Sequence, residues 1–289
     1  MILRRNMKKL LQKIFLAALI IFSPENSQAQ IKKMLSYNPD QHVVLATGFL
    51  DYPPIGYIKT EGRDRYFISV FDEVMRDFSK NTGLKVKYVF DGDYRDLIRK
   101  TEGGKIDLVL GIYHETKMYE GFDIVFPSMI NNPVSIITLP EKAGSITNLS
   151  QLKKLKGGIS NKEYLTDYVN EQLDAYNLER FDSSNAMFEK LFTGQIDYVF
   201  ASYFFGIVET SKLGLRDRLS FSKQVIWNMP LFFGISKMSE LRTLLGGKLA
   251  AYSEKPENKE KLEKYLKKMI YEIEESYRGV VPPAYSLPQ

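Results

Sequence analysis

The sequence predicts an α/β fold built from two similar lobes, each a mostly parallel sheet flanked by helices. Three observations predict it. Apolar runs of strand length alternate with stretches of helical periodicity, and that order makes a largely parallel sheet. A phrase is written twice: "GKIDLVLG" (Gly104 to Gly111) returns 90 positions later as "GQIDYVFA" (Gly194 to Ala201). Each copy follows a helix-like stretch that stops at a glycine and leads into a buried-looking apolar run. Two copies so far apart mark two lobes rather than a repeat array.

The elements follow in order. "HVVLAT" (His42 to Thr47) reads as a first strand, and "GFLDYPPIGYIKTEGRDR" as a loop. A helix around "ISVFDEVMRDFSKNTG" places Phe71, Val74, Met75 and Phe78 on one face. "KVKYVF" is a second strand, and "YRDLIRKTEGG" a helix feeding the first copy of the phrase. "NNPVSIITLP" (Asn131 to Pro140) is extended, and Ser150 is positioned to cap a short helix in "NLSQLKKLKGGIS" before the next strand. A helix over "NKEYLTDYVNEQL", a short segment near "LERFD", the helix "NAMFEKLF" and the second copy come next. "VIWNMPLFFGIS" (Val225 to Ser236) is extended, and the tail is helical to about Tyr277.

The first 29 residues have the three parts of a secretory signal: a basic region with Arg4, Arg5, Lys8, Lys9 and Lys13, an apolar core from Ile14 to Phe22, and a Ser27-Gln28-Ala29 cleavage site. That apolar run is well short of the roughly 20 residues a membrane span needs. Removing the segment takes away five basic residues and Glu25, so the formal net charge falls from +5 to +1. The high isoelectric point therefore belongs largely to the signal, and the mature chain offers no basic surface for nucleic acid. The 289 residues contain no cysteine, which excludes disulfides, thiolate metal sites, cysteine nucleophiles and an N-terminal lipid anchor. The expectation is a soluble periplasmic protein.

Five stretches, in order between Val43 and Met269, are similar to one family. "VVLATGFLDYPPIGYI" resembles its first strand and aromatic-Pro-Pro loop; "GGKIDLVLGIYHETKMYEGFDIVFP" its third strand, substrate-contact segment and hinge approach. "NLSQLKKLKGGIS" resembles the opening of the second lobe, "LFTGQIDYVFAS" the strand carrying that lobe's ligand contact, and "FFGISK" the return to the first lobe. The family is the type II periplasmic solute-binding proteins of amino-acid ABC importers, extracellular solute-binding protein family 3.

The resemblance implies two lobes joined by two crossing strands, at Asn131 to Ile137 and Gln224 to Leu231, with a ligand closed between them by hinge motion. Residues 30–132 and 230–289 would form the first lobe and residues 133–229 the second. It implies a small-molecule ligand, an inner-membrane ABC permease as partner, a monomer, and no cofactor or metal.

Position by position the site diverges. Members that bind amino acids place an arginine after the third strand for the α-carboxylate; Met118 stands there, with Glu115 for the preceding threonine and Lys117 one place off. The aspartate that holds the α-ammonium is matched by Ser202, and Tyr66 and Ile68 replace a glycine and an aspartate at the first helix. An unpartnered buried charge costs several kcal/mol, so an ordinary zwitterionic amino acid does not fit these positions. Either Lys117 takes the carboxylate or the ligand carries less charge. The candidate ligand-binding residues are Asp51, Tyr52 and Tyr57 around the Pro-Pro loop, Tyr113, Lys117 and Met118 after the third strand, Ser160 and Asn161 at a helix N-terminus, and Ser202 and Tyr203 after the second copy. Trp227 lies in the second crossing.

No catalytic residue is assigned. His42 and His114 are far apart, "SQLK" reads as a helix cap, and "DGDYRD" has Asp96 where a calcium loop needs glycine. Two rival functions share the fold: a lyase of the cyclohexadienyl dehydratase type, using Glu115 or Asp51 as general acid, and a sensor reporting to a membrane partner.

Overall fold

The strands into which the two copies of the repeated phrase run, Leu108–Tyr113 and Tyr198–Ser202, are the middle strands of two separate five-stranded sheets. The computed structural model describes residues 43–114, 119–144, 146, 148–222 and 224–282. The signal-peptide reading, His42, and the candidates Glu115, Lys117 and Met118 lie outside these residues.

The chain runs β1 (Val43–Gly48), β2 (Asp51–Tyr52), β3 (Gly56–Glu61), β4 (Asp64–Ile68), α1 (Asp72–Thr82), β5 (Lys85–Tyr88), α2 (Tyr94–Glu102), β6 (Leu108–Tyr113), β7 (Phe122–Asn131) and β8 (Val134–Thr138). It continues with α3 (Leu149–Leu152), β9 (Lys156–Ser160), α4 (Asp167–Leu173), β10 (Asn177–Phe181), α5 (Ser184–Phe192), β11 (Tyr198–Ser202), α6 (Tyr203–Lys212), β12 (Ser220–Phe221), β13 (Pro230–Ser236), α7 (Arg242–Ser253) and α8 (Pro256–Ser276).

The first sheet has the order β5-β1-β6-β13-β7 and the second β10-β9-β11-β8-β12. In the first, β5, β1 and β6 are parallel and β13 runs against both its neighbours. In the second, β10, β9 and β11 are parallel and β8 runs against both of its own. The lobes are thus two versions of one plan, each with a single reversed strand. That strand, β8 or β13, is the one by which the chain enters each sheet from the other.

The chain crosses between sheets at Asn132-Pro133 and returns through 224–229. The two passages are tied together: Asn132 N–H donates to Met229 O at 3.0 Å, Val134 N–H to Trp227 O at 2.8 Å, and Ile226 N–H to Val134 O at 3.0 Å. Trp227 bridges to Val134 and packs edge-on against Tyr176 and tilted against Phe200.

The helix anticipated from the Phe71, Val74, Met75 and Phe78 spacing forms as α1, and all four side chains are buried. Each such burial is worth about 1.5–3 kcal/mol. The closing helix α8 packs on α1, α7 and β7 and also on α6, and Arg216 after α6 pairs with Glu274 at 3.0 Å.

Three local expectations change. The stretch after β1 is not a loop, since β2, β3 and β4 form a small antiparallel sheet closed by a tight turn at Gly62. The cap of α3 is Asn148, not Ser150: its side chain accepts from Gln151 N–H, while the Gln151 side chain accepts from Asn148 N–H. The helix expected from Asn161 begins at Asp167, because Thr166 in extended backbone caps Val169 N–H and the preceding residues form a turn. Ser160 and Asn161 therefore end a strand and do not open a helix.

Candidate functional site

A parallel strand of each five-stranded sheet, and β2 of the small antiparallel sheet, end where the chain crosses, and their last residues meet there. Tyr52 ends β2, Tyr113 ends β6, and Ser202 ends β11. Glu163 sits in the turn that leaves β9, and Asn132 is in the crossing itself. Open parallel sheets offer ligands a crevice at these carboxyl ends.

The five residues form one hydrogen-bonded network. Tyr52 Oη and Ser202 Oγ are 2.5 Å apart, joining the first lobe to the second. Ser202 N–H donates to Glu163 Oε1 at 2.8 Å and Ser202 Oγ to Glu163 Oε2 at 2.8 Å, with Tyr52 Oη 3.1 Å from the same oxygen. Asn132 accepts Phe204 N–H at 3.2 Å, which turns its amide nitrogen toward Tyr52 Oη at 3.2 Å and Tyr113 Oη at 3.1 Å. One side chain in the crossing thereby satisfies both tyrosines.

Burial governs the electrostatics. It pushes the Glu163 carboxyl up to about 8, against the opposing bonds from Ser202 and Tyr52, and nearby Glu209 adds to the rise. The Tyr52 and Tyr113 hydroxyls are also raised by burial, so both stay neutral donors. Glu163 forms no ion pair with a lysine or arginine among the described residues.

Aromatic rings surround the network. Phe49 stacks on Tyr94 at 4.7 Å and lies 5.3 Å from Tyr52, and Phe205 of the second lobe stacks 6.3 Å from Tyr52. Tyr164, from the same turn as Glu163, inserts among the first lobe's rings, 4.6 Å from Phe49 and 5.2 Å from Tyr52. Tyr94 Oη and Tyr119 Oη are 2.7 Å apart.

Of the sequence candidates, Tyr52, Tyr113 and Ser202 meet here. Asp51 is exposed at the edge, close enough to Tyr164 to act on it electrostatically together with Arg95. Tyr57 pairs across the hairpin with Asp51, and its charged neighbours are Lys59, Asp72 and Glu272. Ser160 is buried and accepts Lys162 N–H, while exposed Asn161 donates to Asp182. Tyr203 opens α6 with its ring edge-on to Phe204 and Phe221.

Sequence reasoning missed Glu163, Asn132, Phe49, Tyr94 and Tyr164. Asn132 lay inside a segment singled out as a crossing, and Glu163 stands three places after Ser160. Among the described residues no group of three or more His, Cys, Asp or Glu is arranged to hold a metal ion, and no helix is long and apolar enough to cross a membrane.

No protein-family model matches the chain, and no curated protein sequence matches it. Solved structures do. A binding component of an ABC transporter from Wolinella succinogenes, complexed with lysine, aligns with a TM-score of 0.61 at 14% identity over 80% of this chain and 96% of its own. The GluR0 ligand-binding core with L-glutamate gives 0.60 at 14%, covering 80% and 99%. An ancestral amino-acid-binding protein described as a precursor of cyclohexadienyl dehydratase gives 0.56 at 14%, covering 80% and 96%. The chain has the two-lobed fold of the type II periplasmic binding proteins.

Proposed function

We propose that the protein is an exported binding protein that captures a small polar solute between its lobes and delivers it to an ABC permease of the inner membrane. The reading places the mature chain in the periplasm as a monomer and gives it no catalytic step. The observation that carries it is the network of Tyr52, Asn132, Glu163 and Ser202. It gathers polar groups from both lobes and from the crossing, where a hinge would bring them onto a ligand. The company of amino-acid-binding structures supports the same class of solute.

A thermal-shift screen of the chain lacking residues 1–29 tests it, against amines, amino acids, carboxylates, sugars and aromatic metabolites. A ligand at 100 times its Kd stabilises by about 2.7 kcal/mol. A clear shift with one chemical class supports capture; no shift with any class removes the proposal.

One observation favours a second reading. A lyase on this fold needs a general acid, and Glu163 is a carboxyl held protonated near neutral pH. Turnover of a cyclohexadienyl substrate by the purified chain, abolished in Glu163→Gln, would replace the binding reading with the enzymatic one.

A further inference from the structure

Carboxylate and rings together describe a ligand. Phe49, Tyr52 and Tyr94 of the first lobe are all buried, and the ring that fills the space among them is Tyr164 of the second, with Tyr94 at 5.8 Å. Tyr164 differs from the rings it touches: it is only half-buried and belongs to a segment that is neither helix nor strand. Glu163, beside it, turns its carboxylate inward onto Ser202 without a basic partner among the described residues.

We infer that this site takes an organic cation, its ammonium against the Glu163 carboxylate and its apolar body among Phe49, Tyr52 and Tyr94, in the place held by the Tyr164 ring. The inference rests on the solute-binding reading and narrows it. Aromatic faces attract ammonium groups, most strongly where water is excluded. A buried carboxylate needs an opposite charge, and here the ligand supplies it. The same arrangement disfavours anions, since an incoming carboxylate would find no basic partner among the described residues acting on Glu163 and would meet the field of Glu209. The described titratable groups acting on Glu163 or acted on by it are Tyr52, Tyr113 and Glu209. Burial keeps the Glu163 proton on near neutral pH, so a bound ammonium must displace it.

The experiment is isothermal titration calorimetry at pH 7 on the chain lacking residues 1–29. The probes are 2-phenylethylamine, choline and putrescine, with succinate and glucose for comparison. At least one amine should bind tenfold or more tightly than either comparator, and its observed enthalpy should change with the buffer's ionisation enthalpy as a proton leaves. Glu163→Gln should weaken that amine at least tenfold and abolish the buffer dependence. Tyr164→Ala should tighten it severalfold by removing the competing ring. Binding of succinate or glucose in preference to all amines overturns the inference while leaving solute capture standing. Silence from all probes, joined to a blank thermal-shift screen, fells the solute-binding reading itself. Should Glu163→Gln not fold, the selectivity and buffer dependence of the unmodified chain still decide. Weaker or unchanged amine binding in Tyr164→Ala overturns the displacement of that ring.

Discussion

Tyr52 and Ser202 stand 150 positions apart in sequence and 2.5 Å apart in space, hydroxyl to hydroxyl, one from each lobe. Tyr52 is buried with its ring between Phe49 and Phe205, so the hydroxyl is the only part of it that speaks to the polar network. Removing that oxygen leaves Asn132, Ser202 and Glu163 each short of a partner.

Tyr52→Phe should therefore cost about 1–3 kcal/mol, the penalty for stranding buried polar groups. Tyr57→Phe, five residues on and among different neighbours, should stay within about 0.5 kcal/mol. Urea denaturation of both variants measures the difference. Equal effects would mean that the hydroxyl of Tyr52 carries no more than that of the half-buried Tyr57.

Asp107 and Asp197, the aspartates of the two phrases, do identical work in the two lobes. Asp107 exchanges two bonds with Leu45 of β1: its N–H donates to Leu45 O at 2.8 Å and its Oδ2 accepts Leu45 N–H at 2.9 Å. Asp197 does the same with Lys156 of β9, at 2.6 and 3.0 Å. Each aspartate clamps a residue of the neighbouring parallel strand, Leu45 within β1 and Lys156 at the start of β9. Asp107→Ala and Asp197→Ala should each cost about 1–3 kcal/mol. Because the clamps sit in different sheets, the double variant should lose the sum to within about 0.5 kcal/mol. Chemical denaturation of the two single variants and the double one is the check, and strong non-additivity would mean the lobes do not carry independent clamps.

The repeated phrase was legible because its meaning is local. Gly104 and Gly194 both take positive φ, 73° and 71°, just past their helices. Lys105 N–H reaches back to Lys100 O, and Gln195 N–H to Lys190 O, both at 2.9 Å. The aspartate clamps, whose partners lie 62 and 41 positions away, could not be read from neighbours in sequence, whereas a glycine stop can. The same holds for α1, whose apolar spacing is its own evidence. Glu163 could not be read this way. Its partners, Ser202 and Tyr52, are 39 and 111 positions away, and nothing near it marks a carboxylate that will be buried rather than solvated. The start of α4 is hidden for a related reason: residues 161–165 have helical composition, but Thr166 offers the better cap, and the freed turn carries Glu163 and Tyr164 to the site.

Glu163 gives a pH dependence whose sign is fixed. Its carboxyl is raised by burial from the ordinary range near 4.5 to about 8, so between those values the folded chain holds a proton that the unfolded chain has lost. Stability from this group is fully present below about 4.5, falls as pH rises, and is gone above about 8. The slope approaches about 1.4 kcal/mol per pH unit within the window. Glu163→Gln imitates the protonated form and should flatten this component. Urea midpoints at pH 5, 7 and 9 for both proteins decide it. A difference between the unmodified chain and Glu163→Gln that stays flat from pH 5 to 9 would show that the carboxyl is ionised throughout.

The two copies differ at four positions, and at the last of them Gly111 in the first stands against Ala201 in the second. Gly111 has φ +78° within β6, and the pairing with β13 slips there: Phe232 faces Ile112 and Phe233 faces Leu110, so Gly111 is passed over as an extra residue. Such a bulge bends the strand and re-aims the side chains beyond it. The strand ends there with Tyr113, the tyrosine that Asn132 holds in the network. At Ala201 the pairing with β8 is regular, and among the described residues only glycines take positive φ. Two physical terms oppose Gly111→Ala. The left-handed backbone costs about 1–2 kcal/mol for a residue with a Cβ. The added atom would also stand 2.8 Å from Ile55 Cγ2 and 3.0 Å from the Phe71 ring, in a packed core, which adds about 1–3 kcal/mol. The reverse change, Ala201→Gly, meets no clash and should cost only about 0.5–1 kcal/mol through backbone entropy. Gly111→Ala should therefore lose several times more stability than Ala201→Gly. It should also disturb ligand binding through Tyr113, while Ala201→Gly leaves affinity within about twofold of the parent. Comparable losses in the two variants would mean that the bulge is incidental and that Tyr113 owes its position to Asn132 alone.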